Sequence, residues 1–426
     1  MNVSVIGAGK MGLPLACVLA RNGASVTACD VKRGVVDAIN AGTSPIDEPG
    51  VQELVRDLTH SGRLHATIDT PSAVAQSDVV IIIVPVLLTA GKEADTSTIE
   101  SVCRQIAPSL KRGAMVSFET TLPVGTTRRL LPLLESGGLK GGKDLDLVFS
   151  PERVKSRMVL QRLTENPKIV GGLTPEGAER AAAFYHQYLG CPVINVGSLE
   201  AAELVKLAGM ACRDVNIALA NELARYSEEL GIDFQVIKDA ANTDGEANLY
   251  QPGIGVGGHC TPVYPYFLLQ EAKRIALRLD MTELARRIND EQPVHVLSRL
   301  ERAFGSLRGR RALILGLGFR PQVKEHICSP AFQLRDELVR LGAEVRLHDP
   351  LYAPEEIERL GFAPGELHGS PAAEVIVLNT AHEEYAEVDF QKLASAGVKA
   401  VVDGRQLWRG DLVRAAGLLY VGVGQS

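Results

Sequence analysis

Asn2-Val3-Ser4-Val5-Ile6-Gly7-Ala8-Gly9-Lys10-Met11-Gly12-Leu13-Pro14-Leu15-Ala16 decides the fold. Residues 2–7 form a short β-branched run. Gly7, Gly9 and Gly12 make a G-x-G-x-x-G pattern, and "LPLACVLARNG" reads as a helix closed by Gly23. The strand "SVTACD" follows and ends at Asp30. Strand, glycine turn, helix, strand and acid at this interval are the context in which a weak glycine pattern becomes a dinucleotide fingerprint. The glycines, with Lys10 and Met11 between them, let the backbone approach a pyrophosphate at the helix N-terminus. Asp30 is placed for the ribose 2′-hydroxyl, which favours NAD over NADP.

Further α/β units extend the pattern. "DVVIIIVP" (78–85), "GAMVSFETTLPVG" (113–125) and "LDLVFSPE" (145–152) are buried-strand runs that end in polar residues, where a parallel sheet places its ligand crevice. Thr120, Thr121 and Glu152 fall at such ends. From about 198 to 230 the text becomes one long helix. Val205, Ala208, Cys212, Val215, Leu219, Leu223, Tyr226 and Leu230 make a continuous apolar stripe on it, and Gly231 closes it. A second helical segment covers roughly 266–304. "RRALILGLGFRPQ", "EVRLHDP", "EVIVLNT" and "AVVDGRQ" then announce another α/β domain, in which Pro321 follows Gly316-Leu317-Gly318 and no third glycine opens a helix. A second dinucleotide site is not expected there. The expected fold class is α/β: two Rossmann-like doubly wound domains joined by a long central helix and a helical middle domain. The expected divisions are 1–197, 198–304 and 305–426.

Bulk properties narrow the function. A 426-residue chain suits two or three domains, and a formal charge of −6 without any basic block argues against nucleic acid as the main partner. The N-terminus lacks the pattern of a signal peptide and no apolar run reaches membrane-spanning length, so the expected address is the cytoplasm, with no membrane partner. Seven cysteines, scattered and without a C-x-x-C pair, point to reduced thiols. Six lie in strand-like or helix-like apolar contexts; Cys260 lies in a glycine loop.

That loop, "GVGGHCTPVYP" (255–265), admits three readings. A metal site needs more ligands than one His beside one Cys, so no metal is expected. A turn with a buried thiol accounts for the glycines but not for a thiol among them. A nucleophile accounts for both: the glycines leave space over the sulfur for a substrate carbon, and their N–H groups serve anions. Beside an NAD domain, a cysteine nucleophile suggests capture of an aldehyde, loss of hydride and hydrolysis of the resulting thioester.

The stretches "VIGAGKMGLPLA", "ETTLPVGTT", "SPERV", "AAELVKLAGMACRDVNIALANEL", "GVGGHC" and "VVDGR" together resemble the nucleotide-sugar 6-dehydrogenases, the UDP-glucose/GDP-mannose dehydrogenase family, along essentially the whole chain. "PERV" and "GGHC" look most like the branch acting on UDP-N-acetylhexosamines such as UDP-ManNAc or UDP-GlcNAc. The resemblance implies oxidation of a C6 alcohol to a uronate by two NAD⁺ in succession. It makes Cys260 the nucleophile and Lys206 the proton-handling or oxyanion-stabilising ammonium, with Glu152 acting on water through Thr121. It assigns Arg153, Val154, Lys206, Met210, Arg213, Gly257, Arg320 and Arg405 to the nucleotide sugar, and Val86 and Thr121 to the cofactor side. The spacing of Lys206 and Arg213 on the long helix lets both cations face one cleft. A homodimer built on that helix is the expected assembly.

Five positions depart from the family's pattern. Met210 stands for an asparagine, Val86 for a threonine, Tyr264 for an aspartate, Glu246 for a substrate-loop arginine, and Ile327 for an arginine in "KEHICSP". Tyrosine is a poor base near neutral pH, so thioester hydrolysis is the step most exposed to the change. Two other readings stay open: a UDP-glucose or other nucleotide-hexose dehydrogenase, and a non-catalytic nucleotide-sugar-binding homologue. Retention of Cys260, Lys206, Glu152 and Thr121 together argues against the latter.

Overall fold

Val3, Val5, Val26, Ala28 and the run Val79–Ile82 are buried. That is what continuous apolar strands do when helices cover both faces of a parallel sheet. The computed structural model describes residues 1–368 and 373–425. The chain forms two compact units, Met1–Gly209 with Tyr266–Ala276, and Met210–Pro265 with Leu277–Ser426.

In the first unit the strands are β1 (Asn2–Ile6), β2 (Ser25–Cys29), β3 (Leu64–Thr67), β4 (Val79–Ile82), a small hairpin of β5 (Leu87–Leu88) and β6 (Ala94–Asp95), β7 (Met115–Phe118), β8 (Asp146–Phe149), β9 (Lys168–Gly172) and β10 (Val193–Ser198). The large sheet has the order β10-β9-β8-β7-β4-β1-β2-β3. Strands β1 to β4, β7 and β8 pair in parallel, whereas β9 runs antiparallel to β8. The reversal matters for the site. It brings the start of β9 to the edge where β7 and β8 end, which is the ligand edge of an open α/β sheet.

In the second unit β11 (Arg311–Leu315), β12 (Glu344–His348), β13 (Ala363–Pro364), β14 (Val375–Leu378), β15 (Ala400–Asp403) and β16 (Leu419–Gly422) form a parallel sheet of order β13-β12-β11-β14-β15-β16. The same unit holds the helix Asp280–Phe304, which packs on the later part of the helix Leu199–Leu230. Their contact is largely polar. Arg286 binds Asp214 at 2.6 Å, Asn221 donates to Asn289 at 3.0 Å, and Arg225 donates to Gln292 at 2.6 Å. Ala218, Ala285 and Ile288, with Val215 packed against them, fill the space between. The predicted apolar stripe therefore meets this contact through Val215, while much of it faces away. Cys212, Leu219, Tyr226 and Leu230 are exposed.

The expected second helical segment is two helices, Tyr264–Arg274 and Asp280–Phe304. Of the six cysteines read as apolar, Cys17, Cys29, Cys103 and Cys191 are buried, but Cys212 and Cys328 are exposed, and Cys328 sits in a loop at φ +48°. No helix among the described residues is long and apolar enough to cross a membrane.

Candidate active site

The glycine turn of the first unit is shaped for close approach of a ligand. Gly7 has φ +105°, and a Cβ there would lie 2.8 Å from the Ile83 carbonyl oxygen. At Gly12 a Cβ would fall 1.9 Å from the Gly7 oxygen, so the helix Gly12–Arg21 can start against the turn only with glycine there. Gly9 differs: nothing lies within 4 Å of its missing Cβ. This is the position where open space is useful to a bound pyrophosphate. Lys10 and Gly9 are exposed and Met11 is half-buried at the head of the helix. Asp30 accepts the Ala8 N–H at 3.1 Å and the Lys32 N–H at 2.9 Å, which ties the turn to the end of β2. A carboxylate has acceptor capacity beyond two bonds, so Asp30 can also take a ribose hydroxyl. The residues fit a dinucleotide.

The second sheet repeats the motif with a different result. Asp349, just after β12, accepts the N–H groups of Leu317 at 2.6 Å and Gly318 at 3.1 Å, that of Leu351 at 2.9 Å, and His382 Nε2 at 3.3 Å. The Gln322 N–H donates to His382 Nδ1, which leaves the ring proton on Nε2, facing the carboxylate. Asp349 and His382 are enclosed, and the capacity that Asp30 keeps for a ligand is spent here on the protein.

At the ends of β4, β7 and β8 the first unit gathers several predicted residues. Val86 is buried after β4, and Thr120 Oγ1 donates to the Val84 carbonyl at 2.6 Å. Thr121 is buried beside it. The Glu152 N–H lies on the Glu119 carbonyl at 3.3 Å, which joins the two strand ends. Lys206, from the helix Leu199–Leu230, donates to the Glu152 main-chain oxygen at 2.5 Å. The structure thus brings together Lys206 and Glu152, two residues that sequence reasoning had given separate roles. Arg153 places its guanidinium on the Pro167 carbonyl, and Val154 packs against the core of this unit.

The Glu152 carboxylate is held on both sides. One oxygen accepts the Arg153 N–H at 2.6 Å, and the other accepts Lys168 Nζ at 3.1 Å. Lys168 also binds Glu119 at 2.6 Å. Glu119 takes the Tyr185 hydroxyl at 2.7 Å, and Ser117 completes the chain at 2.7 Å from Tyr185. Burial works to raise the Glu152 pKa, but Lys168 and then Lys206 outweigh it and hold the group below its ordinary value. Burial dominates at Glu119 and pushes it up to about 7 against the pull of Lys168, with the Glu152 charge adding to the rise. At neutral pH Glu152 is the ionised member and Glu119 the one poised to hold a proton. Sequence reasoning missed Lys168, Glu119 and Tyr185. The available signals were an acid at the end of a buried strand and a lysine inside the apolar "NPKIVGG".

The remaining predicted residues belong to the second unit. Met210 and Arg213 are half-buried on the long helix, and Arg320 is half-buried after the Gly316–Gly318 turn. Arg405 donates through Nε to the Asn379 carbonyl at 2.6 Å and reaches the Gly255 carbonyl at 3.4 Å, which fastens the cysteine loop to the end of β14. Burial lowers its pKa to about 10, still charged at neutral pH.

The glycines of this loop correct the sequence reading. They were expected to leave space over the sulfur and to offer N–H groups to anions. Instead their missing side chains admit protein. A Cβ at Gly257 would lie 2.4 Å from Phe319 Cβ, one at Gly258 would lie 2.9 Å from the Phe319 ring, and one at Gly255 would lie 2.9 Å from Pro330. The Gly258 N–H is given to the Ile327 carbonyl at 2.9 Å. Gly257 is therefore a packing position against Phe319. The loop is anchored, and Cys260 stands partly exposed at its end, where its carbonyl accepts the Tyr264 N–H at 2.9 Å as the next helix begins. His259 is exposed and Glu246 lies in an exposed turn.

Models of the UDP-glucose/GDP-mannose dehydrogenase family match the chain throughout: its NAD binding domain over residues 1–189, its central domain over 200–291 and its UDP binding domain over 313–410. The chain belongs to the UDP-glucose/GDP-mannose dehydrogenase family. Like the family it is an NAD-dependent dehydrogenase of nucleotide sugars, and the turn from Gly7 to Gly12 lies in its NAD-binding domain. Among relatives of this dehydrogenase, the NDP-N-acetyl-D-galactosaminuronic acid dehydrogenase of Ralstonia nicotianae is 35% identical, covering 97% of each chain. The UDP-N-acetyl-D-mannosamine dehydrogenase of Pyrococcus horikoshii is 32% identical over 100% of both. The solved structure of UDP-D-ManNAc dehydrogenase from Pyrococcus horikoshii superposes with a TM-score of 0.91 at 31% identity, covering 100% of this chain and 99% of that one.

Proposed function

We propose that this dehydrogenase oxidises the C6 alcohol of a UDP-N-acetylhexosamine, UDP-ManNAc or UDP-GlcNAc, to the uronic acid, with Cys260 as the covalent carrier. The observation that carries the reading is the buried Lys206 ammonium on the Glu152 main-chain oxygen at the strand ends of the NAD-binding unit, beside a carboxylate that Lys168 and Lys206 hold below its ordinary value. Full-length relatives named for N-acetylated sugars support the choice of substrate.

NAD⁺, when bound, accepts the hydride in each of two oxidations. In the first, the C6 hydroxyl gives its proton to water as the C6 carbon loses hydride, and the Lys206 ammonium stabilises the developing alkoxide. The Cys260 thiolate then adds to the aldehyde carbon, forming a C–S bond and a hemithioacetal oxyanion that Lys206 again neutralises. Loss of the second hydride gives a thioester. Water attacks it and Glu152 takes the water's proton. The C–S bond breaks and the thiolate returns to Cys260 as the carboxylate departs. Thr121 orders the water.

Arg153, Arg213, Arg320 and Arg405 supply cations for the diphosphate, with Val154 and Met210 shaping the sugar end and Gly257 seating the cysteine loop against Phe319. In this reading residues 1–197 bind NAD, 198–304 carry the cysteine loop and the dimer contact, and 305–426 bind the nucleotide sugar. The exposed stripe, with Leu219 at 41%, Leu230 at 54% and Tyr226 at 66% exposure, supports a homodimer on the long helix. Seven free thiols support a cytoplasmic setting.

The test is mass spectrometry of products from UDP-ManNAc, UDP-GlcNAc and UDP-glucose with NAD⁺, with NADH counted per sugar. A uronate from an N-acetylated sugar with two NADH is expected. Preference for UDP-glucose would overturn the substrate, and one NADH per sugar would overturn the completed oxidation.

A further inference from the structure

Lys168 and Glu119 have no part in the steps above, yet they are among the most enclosed charges in the first unit, with side chains 6% and 0% exposed. Charges are retained in such places only when closely partnered, because taking each out of water is costly. Lys168 is fully engaged, at 2.6 Å from Glu119 and 3.1 Å from Glu152. The antiparallel run of β9 alone puts an ammonium there. Glu119 is backed in turn by Tyr185 and Ser117, so a hydrogen-bonded line runs from the sheet interior to the carboxylate assigned to water.

We infer that Lys168 and Glu119 are positioning residues that set the protonation state and orientation of Glu152: Lys168 holds the carboxylate ionised and aimed, and Glu119 governs how much of the ammonium Glu152 receives. The inference rests on the role given to Glu152 above. The groups facing Glu152 and its partners are Lys168 at the start of β9, Glu119 after β7, Tyr185 from the helix Pro175–Leu189, Lys206 from the long helix, and Cys191 before β10. With Glu119 protonated the ammonium belongs to Glu152. When Glu119 ionises, the two carboxylates share it, and the proton affinity of each rises. The direction of each variant follows.

The experiment is the pH profile of kcat/KM for uronate formation in the full enzyme. Rate falls on the acid side as Glu152 gains a proton. Lys168→Met removes the closest cation, so its acid limb moves to higher pH by about one to three units. Lys168→Arg keeps the charge and returns the limb toward the wild-type position. Glu119→Gln mimics the protonated Glu119 present throughout that limb, so it leaves the limb in place and removes the inflection near pH 7 at which Glu119 ionises. A purely structural role would lower kcat in Lys168→Met and leave its limb in place, and that result overturns the inference. So does a Glu119→Gln profile that keeps the inflection near pH 7. If Lys168→Met does not fold, Lys168→Gln carries the test, with the same upward shift required of it beside an unshifted Lys168→Arg. Glu152→Gln separates the two levels. A fully active Glu152→Gln enzyme overturns the role of Glu152 itself, whereas an impaired one beside an unmoved Lys168 variant overturns the inference alone.

Discussion

Lys206 Nζ donates to the main-chain oxygen of Glu152 at 2.5 Å. The side chain is buried, so the ammonium is held by the same strand end whose carboxylate we assign to water. A cation fixed in this way costs little reorganisation when an oxyanion forms beside it. Lys206→Ala is expected to lower kcat by about 10²–10⁴-fold with a smaller change in KM for the sugar nucleotide. Steady-state NADH formation measures both. An unchanged kcat with a raised KM would make Lys206 a binding residue only.

Gly9 and Gly12 should respond in opposite ways to alanine. At Gly12 the new Cβ meets the Gly7 oxygen at 1.9 Å, so the cost falls on folding. At Gly9 nothing beyond its own chain neighbours lies within 4 Å, so the cost falls on the ligand. Thermal denaturation is expected to find Gly9→Ala near the wild-type Tm and Gly12→Ala well below it. Titration of NAD⁺ should find at least about tenfold weaker binding in Gly9→Ala, on the order of 1.4 kcal/mol. A Gly9→Ala protein with unaltered NAD⁺ affinity would move the pyrophosphate off this turn.

Glu203 gives a pH signature to stability. It is fully buried and accepts the N–H groups of Gly125 and Thr127 and the Thr127 hydroxyl, which caps the helix Thr126–Glu135. Burial outweighs those bonds and pushes its pKa up to about 7 from 4.5. The folded state therefore binds the proton more tightly than the unfolded chain does. The stabilisation is complete below pH 4.5 and is lost as pH rises toward 7, by up to about 3 kcal/mol. Glu119 acts in the same direction. Denaturant melts between pH 4.5 and 7 should show a shallower pH slope in Glu203→Gln than in the wild type, whatever the offset between them. Equal slopes would remove Glu203 from the linkage.

Legibility followed locality. The turn from Gly7 to Gly12 and Asp30 were readable because strand, turn, helix and acid follow one another along the chain, so the sequence itself carries the geometry. Lys206 and Glu152 were singled out through the family's motifs, but their contact was not foreseen, because it joins a helix to a strand end far apart in the chain. Lys168 was not, because its role depends on β9 reversing direction beside β8, and no residue pattern within "NPKIVGG" signals strand direction. Glu203 caps a helix from far along the chain, which no local capping pattern reveals. The glycines of the cysteine loop were misread because a missing Cβ looks the same in sequence whether ligand or protein fills the space. Only the structure shows Phe319 and Pro330 there.

The central claim is that the Cys260 sulfur carries the sugar between the two oxidations. The most direct measurement is uronate formation by Cys260→Ala and Cys260→Ser, read by mass spectrometry with NADH counted in parallel. Both variants are expected to bind NAD⁺ and the sugar nucleotide yet to release no uronate at more than about one-thousandth of the wild-type rate. Conversion of alcohol to acid by either variant at the wild-type rate would contradict the covalent account.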